Sequence, residues 1–182
     1  MNITDHPAKY HLIECVGVLH HLDDPYAGWL KLVKLLKNPG IMKIGLYSKS
    51  AREKICKIRE SISQLNGSGN SETLKALRAR LNQDDSVESK RLLSSPDWYS
   101  VSGFRDLVMH EHEIQFNLLE IKNLLARLKL TFCGFDRSAI DRNRIPKTDW
   151  YDLDAWHDFE IRNPDAFGGM YQFWCQKTDE TG

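Results

Sequence analysis

VGVLHHLDDPYAGWLKLVKLLKNPGIMKIGLYS, residues 16–48, changes its hydrophobic period twice. Together with the residues before it, LIEC from Leu12, it begins as a short apolar run, Leu12 to Leu19, of the kind carried by strands buried on both faces of a parallel sheet. Asp23 or Asp24 then offers a side-chain oxygen to the first turn of a helix, and Pro25 follows where a missing N–H does no harm. Trp29, Leu32, Val33, Leu35 and Leu36 recur at helical spacing, and Asn38-Pro39-Gly40 stops the helix. Ile41 to Tyr47 reads as a second strand. Strand, helix and strand on short links make a βαβ unit, whose strands are parallel and whose crossover is right-handed.

Elements continue to alternate downstream. Ser50 to Leu65 reads as a basic helix, Asn66 to Ser71 (NGSGNS) as a flexible break, and Leu74 to Leu81 as a short helix. Ser100 opens a capped helix through SVSGFRDLVMHEHE, and leucine spacing predicts another over Leu118 to Leu128. LTFCGFD (Leu130 to Asp136) and MYQFWCQK (Met170 to Lys177) read as strands, with a helix between them that carries Trp150, Trp156 and Phe159 on its apolar side. The pattern predicts one α/β domain over residues 1–182, with a helical insertion at about 50–113. Tyr171, Phe173 and Trp174 are expected in its core.

Composition narrows the possible functions. The 182 residues carry 25 Lys+Arg against 25 Asp+Glu, so no global field draws the chain to nucleic acid or to an anionic membrane. The basic residues Arg52, Lys54, Lys57, Arg59, Lys75, Arg78 and Arg80 are diluted by Glu53, Glu60 and Glu72, and solvated helix faces are expected there rather than RNA contacts. Apolar runs fall far short of a bilayer span and MNITDHPAKYH has no signal-peptide core, which predicts a cytoplasmic protein. Cys15, Cys56, Cys133 and Cys175 are widely spaced and without C-x-x-C, as buried reduced thiols would be. No metal is expected, because His110 and His112 are two apart, a spacing that puts them on different helix faces.

With the P-G turn and the strand after it, VLHHLDDP resembles the second half of a class I S-adenosylmethionine-dependent methyltransferase, whose fourth strand ends in V-L-H-H-L-x-D-P. The family's P-G-G turn is here Pro39-Gly40 followed by Ile41, one residue different. SSPDWYSVSGFRDLVMHEHEIQF and FEIRNPDAFGGMYQFWCQK are similar to bacterial members, some of them attached to tetratricopeptide repeats. The resemblance implies a partial Rossmann-like sheet, strands four to seven, without the N-terminal half that holds most of the cofactor. Only nine residues precede Tyr10, and no glycine-rich turn stands near the start. A truncated methyltransferase that by itself binds S-adenosylmethionine weakly or not at all is therefore expected.

Ligands of open α/β sheets bind outside the carboxyl ends of the strands, which places Leu19 and His20 at the cofactor and His20 and His21 at the reacting atoms. A neutral imidazole there accepts a proton or orients a nucleophile. Adjacent side chains on an extended chain point opposite ways, so one of the two histidines packs elsewhere. Tyr47, at the next strand end, and Arg105, able to clamp an anion, are the candidate substrate contacts. Asp23 and Asp24 read as caps. Two other functions stay open: an inactive remnant acting as an interaction module, and a half-protein completed by another chain. Both predict self-association or capture along the Leu12 to Leu19 edge.

Overall fold

The computed structural model describes residues 9–50, 52–53, 71–84, 93, 96–99, 113–137, 140, 149–164, 166–167 and 169–178. Several expectations lie outside these residues: most of the Ser50 to Leu65 helix, Cys56, the Ser100 helix with Arg105, and His110 and His112. The chain divides into two compact units, Met1–Arg52 with His112–Gly182, and Glu53–Glu111.

The first unit is a four-stranded sheet with helices packed on it. Strand β1 is Tyr10–Val16, helix α1 Pro25–Leu35 and strand β2 Leu36–Tyr47. The second unit holds helix α2, Ser71–Gln83, with Leu74 and Leu81 buried and the Arg78 guanidinium 5.3 Å from the centre of the Trp98 ring. Back in the first unit come helix α3 (Leu118–Arg127), strand β3 (Leu130–Phe135), helix α4 (Leu153–Arg162) and strand β4 (Met170–Lys177). The order across the sheet is β1-β2-β4-β3, with β1 parallel to β2 and β4 antiparallel to both of its neighbours. Asp24 caps α1, its Oδ1 accepting the Ala27 N–H at 2.9 Å ahead of Pro25. Asn117 and Glu120 close a reciprocal capping box on α3, and Asp152 caps α4 through the Asp154 N–H.

One face of the sheet makes the core. Met42, Ile44, Leu46, Tyr171, Phe173 and Cys175 alternate inward, covered by Trp29 of α1, Ile121 and Leu125 of α3 and Trp156 of α4. Gly134, at φ 104°, bulges β3, so Phe132 and Phe135 both reach that face although they are three positions apart.

The opposite face corrects two expectations. Among the described residues no helix of this unit packs there: Leu12 is 54% and Ile41 38% exposed, and the two are paired across β1 and β2. β1 is thus not buried on both faces, and it ends at Val16 rather than Leu19, because Gly17 turns the chain at φ 76°; among the described residues it is an edge strand, as expected. Trp174 sits on the same open face, with the Lys43 ammonium 5.9 Å from its ring, rather than in the core. β2 starts before the Asn38-Pro39-Gly40 stop, since Tyr10 pairs with Leu36 and Leu12 with Ile41, leaving the stop residues to bulge out of the ladder. Cys175 is buried and Cys15 half-buried, but Cys133 is exposed, because its position alternates away from Phe132.

Candidate functional site at the strand ends

Three chain segments converge where β1 and β2 end. After Gly17, residues Leu19–His21 form a tight 3-10 turn. Segment 113–117 runs past it: the Ile114 N–H donates to the His20 carbonyl at 2.9 Å and the Phe116 N–H to the Tyr47 carbonyl at 3.0 Å. The Lys49 N–H returns a bond to the Phe116 carbonyl at 2.8 Å, so the backbone beyond β2 is fixed on that side too.

These bonds stack four side chains. The His20 imidazole and the Arg52 guanidinium each lie 3.8 Å from the centre of the Tyr47 ring, which space permits only on opposite faces. His21 meets His20 edge-on at 4.3 Å and Tyr47 at 5.7 Å. Arg52 is not on a solvated face, as its sequence context suggested. It forms a two-point ion pair with Glu113, Nη2 donating to Oε2 at 2.6 Å and Nε 2.5 Å from Oε1, with side chains only 6% and 2% exposed. A buried guanidinium keeps its charge and needs such a planar partner, and losing either one would strand the other.

His20 is wholly buried, and neither ring nitrogen makes a hydrogen bond among the described residues; the Gly45 carbonyl approaches the ring without completing one. Burial, then the neighbouring His21, push its pKa down to about 4, Arg52 adding to this and Glu113 and Gly45 opposing it. The ring is neutral at physiological pH. Leu19, expected beside the cofactor, turns inward at 2% exposure and packs over Gly28. The side chains that do face outward are Val18 and Leu22, with half-buried His21 and Tyr47 behind them.

The structure thus gathers His20, His21 and Tyr47 at one point and adds Arg52 and Glu113, which the sequence does not mark as their neighbours. A second buried cluster nearby also escapes sequence reasoning. Glu160 of α4, 3% exposed, takes the Ser48 hydroxyl at 2.9 Å on Oε1 and has the Tyr171 hydroxyl 2.7 Å from both carboxylate oxygens. The one signal is positional: Leu153, Trp156 and Glu160 share one helical stripe, so an acid occupies an apolar position.

The fold is shared with PKMT2 from Rickettsia typhi. A structure of that protein in complex with AdoHcy matches 98% of this chain with a TM-score of 0.67 at 15% identity, and a second structure of it matches the same share at 0.66 and 17%. In sequence, the chain is 29% identical over 152 residues to the uncharacterized protein syc1184_c of Synechococcus, covering 79% of this chain. No family model matches. The chain spans 39% of the length of PKMT2 and 36% of the Synechococcus protein. No helix among the described residues is long and apolar enough to cross a membrane.

Proposed function

We propose that this chain forms the acceptor side of an S-adenosylmethionine-dependent methyltransferase. The observation that carries the reading is the histidine–tyrosine cluster at the carboxyl ends of a parallel strand pair, in a fold that PKMT2 shares and has in complex with AdoHcy. S-adenosylmethionine, when bound, supplies an electrophilic methyl group on a sulfonium sulfur, and AdoHcy is what remains after its transfer. Val18, Leu22 and His21 would hold it at the strand ends. His21 takes the proton that the methyl acceptor gives up, because it retains exposure while His20 is sealed. Tyr47, braced by His20 and Arg52, forms the wall that orients the acceptor, and such orientation is the main source of rate in a transfer of this kind.

His21→Ala should lower methyl transfer from labelled S-adenosylmethionine by about 10² or more, the usual range for a general base. AdoHcy titrated into the wild-type protein should perturb the NMR signals of His21 and Tyr47 before those of strand β3 at the far edge of the sheet. No methyl transfer by the wild-type protein, together with no perturbation at millimolar AdoHcy, refutes the reading, and wild-type turnover in His21→Ala refutes His21 as the base.

A second reading, completion by another polypeptide segment or self-association, is favoured by β1. Its outer edge has no strand beside it among the described residues, and its exposed Tyr10 and Leu12 continue onto Ile41. An apolar edge of this kind is a template for strand pairing.

A further inference from the structure

Ser48 stands where β2 gives way to the helical turn that carries Arg52. Its N–H donates to the Gly169 carbonyl at 3.0 Å and its own carbonyl accepts the Arg52 N–H at 3.0 Å, so it is the cap residue of that turn. Cap residues ordinarily turn their side-chain oxygen back to the first N–H groups of the helix. The Ser48 hydroxyl also reaches across to Glu160, a residue 112 positions away in the sequence, and donates to its carboxylate. Tyr171, wholly buried, holds the same carboxylate from β4.

We propose that Glu160 is a positioning residue: by tethering Ser48 it sets where Tyr47, one residue before, and Arg52, four after, stand against His20. The inference rests on the strand-end cluster being the working site, but the geometry it concerns exists without any ligand. An acid in the apolar stripe of α4 is costly for packing alone, since an apolar residue of the same size would fill the place without desolvating a carboxyl group. Burial raises the Glu160 pKa and the two hydroxyls lower it, as expected for a carboxyl group held for its hydrogen bonds. Tyr171 orients the carboxylate, and Ser48 is the group that the carboxylate holds in place.

The discriminating readout is the imidazole of His20, whose protons lie over the Tyr47 ring and are shielded by it. Glu160→Met keeps the volume and removes the tether, while Glu160→Gln can still accept from Ser48 and donate to Tyr171. Ser48→Ala cuts the same link from the other end, while Tyr171→Phe removes a hydroxyl that touches both Glu160 and Ser48 but leaves the carboxylate free to hold Ser48. Glu160→Met and Ser48→Ala should both move the His20 signals downfield, as stacking on Tyr47 loosens, and should not add in the double variant. Glu160→Gln should stay near the wild-type positions, and Tyr171→Phe should shift the signals less than Ser48→Ala does. His20 signals that do not move in Ser48→Ala, or that move as far in Tyr171→Phe as in Ser48→Ala, overturn the proposal. Ser48→Ala carries the test if Glu160→Met does not fold. The measurement uses neither methyl donor nor acceptor, so an enzyme found to have no transferase activity would sink the proposed function and leave this result standing.

Discussion

Acid should weaken this protein through His20 in particular. The imidazole is fully buried, makes no hydrogen bond among the described residues, and sits near the cationic Arg52 and beside His21, with only Glu113 and the Gly45 carbonyl favouring a charge on it. Its pKa falls from 6.5 in the unfolded chain to about 4 in the fold. Between those values the unfolded state binds the proton and the folded state does not. The contribution is therefore fully present above 6.5 and is lost as pH falls toward 4. A gap from 6.5 to about 4, at about 1.36 kcal/mol per pH unit, makes the loss about 3 kcal/mol. Against a total stability of about 5–15 kcal/mol that is a large share.

The comparison that isolates it is urea denaturation of the wild type and His20→Phe at about pH 7 and about pH 4, on either side of the titration. Phenylalanine keeps a ring against Tyr47 and cannot titrate. Carboxyl groups shared by both proteins cancel in the difference, including Glu160, whose raised pKa acts in the opposite direction: its folded form holds a proton longer, so that group costs stability as pH rises. The wild type should lose about 3 kcal/mol more than His20→Phe between the two pH values. Equal losses would mean that the ring finds a partner for its charge, and the account of a sealed, unpartnered imidazole would fail.

Two other substitutions probe the sheet. A Cβ on Gly45 would stand 2.6 Å from Val16 Cγ1 and 3.0 Å from Val16 Cα, the latter a backbone atom, so Gly45→Ala must push β1 away from β2. It should cost about 1–3 kcal/mol in thermal or urea unfolding, and a wild-type midpoint would show that the strands can separate freely. Leu12→Lys places a charge on an exposed edge position and should leave the melting temperature near wild type while abolishing concentration-dependent light scattering. Scattering unchanged by Leu12→Lys would exclude this edge as the contact.

What is legible in the sequence is local. Asp24 and Pro25 announce α1, and the strand–helix–strand alternation gives the parallel pair, because caps and periodicity are written within a few residues. β4 is legible to the residue, since MYQFWCQK alternates under tight burial. The site is legible only where it is continuous: His20 and His21 adjoin, and Tyr47 ends the next strand. Arg52 and Glu113 look like ordinary surface charges in the sequence, because a charge on a helix or in a polar run carries no mark of a partner 61 positions away. Glu160 is similar: its acid is visible, but Ser48 is 112 positions away, and nothing local links them.

β1 shows that a mistaken expectation can carry information. Its residues have the composition of a strand covered on both faces, yet the described fold covers one face; its outer edge, expected to stand open, has no strand beside it among the described residues. Ile13 and Cys15 pack partly against the core, as the composition demands, while Leu12, on the alternate face, stays open beside Ile41. The register is pinned by that packed face, since a slip of one residue would exchange the two sets. On this part of the sheet, exposed apolar side chains and an open edge thus lie together on one face of β1 and β2, and a segment covering them would need both a strand to pair and an apolar surface to lie over Leu12 and Ile41. A loop or a polar helix meets one condition and not the other. A strand with its own covering helix would meet both, and Leu12→Lys, which puts a charge in the middle of that apolar surface, should weaken its binding.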